Sequence, residues 1–141
     1  MEIVTLTNDQ ALALDANYRG NCLLVIKGNL DDSIEFYEEA ARIDPQNPTF
    51  QRILVRTTAI RKRAVADGIE DLTVKFGVAT NPAGESASLY SFKGIGEETG
   101  ETGRTYIVGE SDGSLFVEEF DEQNGFSSVP GDMRGIFLRI I

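Results

Sequence analysis

The feature that most constrains the fold is the alternating segment Leu72–Val78. Its apolar and polar side chains alternate without a break, and a period of two predicts a strand with one buried face. Turn-forming residues occupy 81–84, and a second extended run follows from Ser86 to Phe92. Proline and glycine between two extended runs indicate that the chain reverses direction. The segment therefore predicts an antiparallel β protein whose first buried face is formed by Leu72, Val74, Phe76 and Val78.

Other extended runs lead us to predict a mainly β fold. The whole chain, 1–141, is predicted to form one domain, an antiparallel β-sandwich or jelly roll with at most one or two short helices. Within it, 94–103 repeats Glu-Thr-Gly without an apolar anchor and is predicted to be a mobile loop. A hairpin and a terminal strand make up 104–141. The predicted strands are 3–6, 21–27, 33–38, 50–58, 71–79, 86–92, 104–109, 114–120 and 135–141.

The segment from Gly28 to Pro48 fits two different structures. Gly28 and four residues that follow it are spaced as in the second half of a tetratricopeptide repeat. These four residues are Ser33, Tyr37, Ala40 and Pro45. No similar pattern recurs one repeat length later, and solenoid repeats need about three copies to bury their faces. We therefore favour a strand at 33–38. A helix over 31–43 that packs on one sheet stays open as the alternative.

Composition narrows the possible functions. The chain has 23 acidic and 13 basic residues, a net charge of −10, whereas nucleic acids and anionic membranes attract basic surfaces. The absence of histidine excludes a Ser-His-Asp triad, a Cys-His dyad and a histidine metal ligand. The single Cys22 cannot form an internal disulfide. No apolar run approaches the ~20 residues that cross a bilayer.

Motifs that resemble catalytic or ligand sites are better explained as turns and solvated loops. Gly109–Gly113 matches G-x-S-x-G, but that hydrolase site needs a histidine base and a following helix. Gly94–Gly100 has the wrong spacing for a dinucleotide loop, and Glu97 and Glu98 would repel phosphates. The acidic pair Asp31-Asp32 lacks the spacing of a calcium loop. We therefore predict a non-enzymatic protein with no cofactor, no metal and no catalytic residue.

The order of the predicted strands resembles a β-sandwich module found in tailed-phage virion proteins. In that module, a strand ending in glycine is followed by a strand with Phe-x-Glu. A long excursion and a Gly-Ile-x-x-Leu-x-Val strand with a polar turn come next. The resemblance covers residues 10–92 and implies a structural protein of a bacteriophage particle, assembled in the host cytoplasm and located in the virion. The role it implies is a capsid decoration or cement protein that binds between capsomers. The matching segments are Leu23–Gly28, Phe36–Glu38, Gly68–Val74 and Asn81–Gly84.

The charge pattern and the C-terminus predict a partner interface. Five basic residues lie within 52–63, whereas 97–122 holds nine acids and one base. Opposed charges on neighbouring subunits can set their relative orientation. The terminal strand 135–141 is apolar on both faces and needs cover on both sides. The predicted interface consists of Arg52, Arg56, Arg61, Lys62, Arg63, Phe137 and Ile141.

The predicted partners are the major capsid protein or another virion protein, and further copies of the chain in a homo-oligomer, with a trimer favoured. Nucleic acid and membrane are not expected as partners. One alternative is a carbohydrate-binding or adhesin module of a phage tail, in which Tyr37, Tyr90 and Tyr106 would stack on sugars. The second is a small helix-repeat adaptor, which requires Gly28–Pro48 to be helical.

Overall fold

The computed structural model of this chain has an α+β fold, with three helices first and the strands of one sheet after them. It describes residues 5–80, 86–92, 104–111, 114–119 and 137–140. The predicted mainly β fold, a sandwich or jelly roll, is therefore wrong. The elements are α1 (Asn8–Val25), α2 (Leu30–Ile43), α3 (Pro48–Ala66), β1 (Val74–Thr80), β2 (Ser86–Phe92), β3 (Arg104–Ser111), β4 (Ser114–Glu119) and β5 (Phe137–Ile140).

Helix α1 covers 21–25 of the strand predicted at 21–27, and residues 26 and 27 follow the helix without forming a strand. It begins with a capping box, in which Thr7 Oγ1 accepts from the backbone N–H of Gln10 at 3.1 Å and the Gln10 side chain accepts from the N–H of Thr7. The apolar run that suggested a strand forms the end of α1. The prediction was wrong here because a short apolar run fits either a helix or a strand. Of the predicted strand at 3–6, residues 5 and 6 precede the helix without forming a strand. Residues 3 and 4 lie outside the described part.

Helices α2 and α3 replace the strands predicted at 33–38 and 50–58. Asn29 caps α2 by accepting from the N–H of Asp32 at 3.1 Å, and Asn47 caps α3 by accepting from the N–H of Thr49 at 2.9 Å. Pro48 takes the first position of α3, where its missing N–H costs nothing. The alternative helix over 31–43 is confirmed. The side chains that α2 buries recur with a helical period: Leu30, Ser33, Ile34, Tyr37, Ala40 and Ala41.

The five strands form one antiparallel sheet in the order β4-β3-β2-β1-β5. The strands predicted at 71–79, 86–92, 104–109, 114–120 and 135–141 are confirmed, with small shifts at their ends. Val74 pairs with Phe92, which confirms the predicted reversal between the first two strands. The terminal strand pairs with β1 of the same chain. The predicted turn at 81–84 and the predicted loop at 94–103 lie outside the described residues.

The main core lies between the helices and the sheet. Leu30, Tyr37 and Ile60 from the helices meet Phe92 and Tyr106 from the strands in one buried cluster. The rings of Phe92 and Tyr106 are 6.0 Å apart at an interplanar angle of 72°, an edge-to-face arrangement that aromatic pairs prefer. The three tyrosines that the carbohydrate-binding alternative needs are all buried in this cluster. None of them presents its ring at the surface, where a sugar could stack.

The buried tyrosines predict a loss of stability at high pH. Removal from water raises the pKa of Tyr37, Tyr90 and Tyr106 above the usual 10.0. A pKa that is higher in the folded state gives a contribution that is fully present below about pH 10 and is lost as the pH rises further. We therefore expect the free energy of unfolding to fall above about pH 10. The phenolate absorbance of these three residues should appear only as the circular dichroism signal is lost. Phenolate absorbance from all four tyrosines in a protein that is still folded would contradict this expectation.

Candidate functional site

Two of the predicted interface residues meet an acidic group of the same chain. Nε of Arg52 lies 3.4 Å from Oε1 of Glu110, and Nη2 of Arg56 lies 3.6 Å from the same oxygen. Glu110 lies on β3 and belongs to the acidic stretch 97–122. The basic and acidic segments that were predicted to meet between subunits therefore meet, in part, between α3 and the sheet of one subunit.

Two further residues of the basic cluster also have acidic partners in the chain. Nε of Arg61 lies 2.6 Å from Oδ1 of Asp31 on α2, and Nε of Arg63 lies 2.9 Å from Oδ2 of Asp67. Among the described residues, Lys62 is exposed and has no ion pair within 4.0 Å. The cluster thus offers much less free positive charge to a partner than its sequence suggests.

The two apolar members of the predicted interface lie at the C-terminus. Phe137 begins β5, and its backbone pairs with Thr80 of β1. Ile141 lies outside the described residues. Phe137 therefore lies on the sheet, whereas the basic residues of the predicted interface lie on α3.

An ionic network centred on Asp67 joins the end of α3 to the sheet. The hydroxyl of Tyr106 donates to Oδ2 of Asp67 at 2.7 Å. This hydrogen bond is the largest influence that lowers the pKa of Asp67, and Arg63 and Arg104 lower it further. Arg104 also forms a bidentate pair with Glu119, with both contacts at 2.7 Å. Each of these side chains is paired with another, so the network holds the end of α3 against the sheet.

A shallow cleft separates α2 and α3, whose surfaces carry opposite charges. Five acids and one base give α2 a net charge of −4, and five bases without an acid give α3 a net charge of +5. The cleft has a volume of about 500 Å³, and Glu35, Glu38 and Lys62 are among its lining residues. These side chains can make surface ion pairs, and none of the described residues that line the cleft is a histidine, cysteine or serine.

Exposed large apolar side chains are concentrated on α1 and the residues beside it. Tyr18 is 68% exposed and Ile26 is 73% exposed. Scattered exposed apolar residues are normal, whereas a contiguous patch marks an interaction site. Among the described residues, nine large apolar side chains are exposed, and six of them belong to this region: Leu6, Leu12, Leu14, Tyr18, Val25 and Ile26.

Helix α1 uses only one of its faces for the fold. Ala13, Ala16, Gly20 and Leu24 are buried. The approach to α2 at Gly20 is so close that a Cβ atom there would lie 2.6 Å from the ring of Tyr37. At 100° per residue, a second row of side chains lies on the opposite face of the helix. We call this row the outer stripe of α1, and it consists of Ala11, Leu14, Tyr18, Cys22 and Val25.

The outer stripe is the surface that the sequence analysis missed. Its residues are three or four positions apart, which is the spacing of one helix face. Because the buried row of α1 has the same spacing on the other side, the two rows together leave no clear polar face. The apolar stretch 22–26 therefore looked like a strand. The capping box at Thr7 and Gln10 was the local signal that could have identified the helix.

Comparisons with known proteins assign no family to the chain. No protein-family model matches it, no curated protein is similar to it, and no solved structure matches its fold. These results leave the virion resemblance untested. Of the segments that suggested it, Leu23–Gly28 begins in the last turn of α1 and Phe36–Glu38 lies within α2.

The described residues also bear on membrane and metal binding. None of the helices there combines the length and apolar character that crossing a membrane requires. Within those ranges, no three cysteine, aspartate or glutamate side chains come together in a group that could hold a metal ion. The exposed apolar residues make the outer stripe of α1 the candidate functional site in the part of the chain described.

Proposed function

We propose that this protein is a non-enzymatic, protein-binding component of a larger assembly, and that it binds its partner through the outer stripe of α1. The observation that carries the proposal is that four of the five stripe residues are exposed and Cys22 is half-buried, on a helix whose opposite face already packs on α2. Covering such a row removes apolar surface from water, which is the main driving force of protein association. The fully partnered Asp67 network and the lack of histidine support a role without catalysis.

The helical layer favours the helix-repeat adaptor among the functions considered from the sequence. Helix α2 spans most of Gly28–Pro48, as that alternative requires. Near the N-terminus of α1, Ala13 packs with Ala40 at the far end of α2, which makes the two helices an antiparallel hairpin. Stacked helical hairpins bury their faces against neighbours, and the outer stripe is a face without such a neighbour in the described residues. The virion location and the major capsid protein as partner stay predictions and are compatible with this function.

Site-specific photo-crosslinking tests the proposed function. A photoreactive benzoyl-phenylalanine would replace Tyr18 in cells that make the protein from its own gene. We expect irradiation to give a covalent adduct with a protein, because the ring at position 18 should lie inside the interface. Val65 on α3 is the matched control, because it too is an exposed apolar side chain, with 51% of its surface accessible. Irradiation that gives no protein adduct at position 18, or equal adducts at both positions, would refute the proposal.

A further inference from the structure

We infer that the partner of the outer stripe is a second copy of this chain, bound antiparallel about a twofold axis that passes beside Tyr18. The inference rests on the proposed function, namely that the stripe is a protein interface. It adds the identity of the partner and the geometry of the pairing. The support comes from the symmetry of the stripe, the residues that flank it, and the charge of α1.

The outer stripe is symmetric about its centre. Leu14 and Cys22 are each four residues from Tyr18, and Ala11 and Val25 are each seven residues from it. In an antiparallel twofold pair, a residue before the centre meets the residue equally far after the centre on the other copy. Leu14 of one copy then packs on Cys22 of the other, and Ala11 packs on Val25. In both pairs a smaller side chain faces a larger one, so neither pair opposes two large side chains on either side of the central Tyr18.

One side of the stripe is also complementary to itself in charge. Asp15 and Arg19 lie beside the stripe, 3.0 Å apart, and both are well exposed. With a rise of about 1.5 Å per residue, antiparallel pairing places Arg19 of one copy about 3 Å along the axis from Asp15 of the other. Each aspartate thus gains a second arginine, and the pairing leaves no net charge on this flank.

The same flank is complementary in apolar character. Leu12 lies six residues before Tyr18, and Ile26 lies eight residues after it. Antiparallel pairing therefore brings Leu12 of one copy to within about 3 Å, along the axis, of Ile26 of the other. Both side chains are more than half exposed in one chain. The contact covers apolar surface at both ends of the helix pair.

Of the three described helices, α1 carries the smallest net charge and so opposes the approach of a second copy least. A chain with a net charge of −10 repels its own copies. Helix α1, however, carries only Asp9, Asp15 and Arg19, a net charge of −1, against −4 on α2. Two helices of about 27 Å in contact form an interface at the small end of the specific size range. We therefore expect a dimer of micromolar affinity.

Sedimentation equilibrium of the full chain, from about 1 to 300 µM to bracket a micromolar affinity, tests the inference. The molar mass should rise with concentration from 15.4 kDa towards twice that value. Tyr18→Glu puts two carboxylates together at the axis and should weaken the dimer by more than about tenfold. The matched control, Val65→Glu, makes a similar change at an exposed site on α3 and should leave the dimer intact. Circular dichroism would confirm that both variants keep the helical signal.

Disulfide trapping tests the antiparallel direction. In a Cys22→Ser background, Ala11→Cys mixed with Val25→Cys should give a mixed disulfide dimer under mild oxidation, whereas Ala11→Cys alone should not. A parallel pair would give the reverse result and overturn the geometry.

The outcomes separate this inference from the proposed function. A chain that stays monomeric at all concentrations, but whose position 18 crosslinks to a different protein, would overturn the self-pairing and leave the proposed function standing. A monomer that gives no adduct at position 18 would overturn both.

Discussion

Replacing Phe92 by alanine is expected to lower the free energy of unfolding by roughly 3–5 kcal/mol. Phe92 is only 2% exposed, and its ring packs edge-on against Tyr106 in the cluster that joins the helices to the sheet. Truncation removes the transfer free energy of the ring and leaves a cavity that the neighbouring strands cannot fully close. Urea denaturation that shifts the midpoint at an unchanged slope would measure the loss.

The control for this substitution is Leu115→Ala on β4. Leu115 is 38% exposed, so its truncation should cost less than about 1 kcal/mol. Phe76→Ala should fall between the two, because Phe76 is half-buried and packs at the edge of the same cluster. A loss below about 1 kcal/mol for Phe92→Ala would mean that the helices do not cover this face of the sheet.

Gly28→Ala is expected to destabilise the fold by about 2–4 kcal/mol, through backbone strain and a steric clash together. Gly28 has φ of +66°, and a Cβ atom there would lie 2.4 Å from the carbonyl oxygen of Val74. The chains cannot separate easily at this point, because the N–H of Val74 donates to the carbonyl of Gly28 at 2.9 Å. The substitution therefore tests whether the loop between α1 and α2 lies directly against the start of β1.

Gly68→Ala is the matched control for Gly28→Ala. Gly68 also has a positive φ, +86°, but a Cβ atom there would meet nothing within 4 Å. It should therefore show only the left-handed backbone strain, about 1–2 kcal/mol. The difference between the two losses measures the clash with Val74. Equal losses in urea denaturation would show that the loop does not approach the strand this closely.

The strands could be predicted from the sequence because extended runs bounded by turn residues mark β1 to β4, and a run of apolar residues marks β5. In Leu72–Val78 the alternation is unbroken, and the structure places Phe76 against Tyr90, with ring centroids 5.4 Å apart, on the face of the main core. Hairpin pairing of Ser111 with Ser114 likewise follows the predicted turn. Local signals are sufficient for β1 to β4, because these strands are neighbours both in the sheet and in the sequence, whereas the pairing of β5 with β1 joins strands that are distant in the sequence.

The helices were missed because short windows do not separate a helix from a strand. Over six residues, Ile34 and Phe36 can be placed on one face of a strand. Over the full length of α2, the buried positions Leu30, Ile34, Tyr37 and Ala41 recur every three or four residues, which only a helix explains. The cap residues ahead of the three helices carried the same information.

The candidate site could not be predicted from the sequence for a related reason. The basic cluster on α3 looked free because its acidic partner Glu110 is distant in the sequence, and only the packing of α3 on β3 brings Arg52 and Arg56 to it. The outer stripe, in contrast, depends only on the spacing of residues within one helix. It could have been found once α1 was recognised as a helix with two apolar rows.

Tyrosine labelling is the most direct test of the claim that the outer stripe of α1 is an interface. The chain has four tyrosines; Tyr18 is 68% exposed, and the other three are at most 2% exposed. Nitration followed by peptide mass spectrometry should modify Tyr18 alone in dilute solution. In the assembled protein, at high concentration or in its native complex, Tyr18 should become protected while the other three stay unreactive. Equal nitration of Tyr18 in the dilute and the assembled protein would contradict the account.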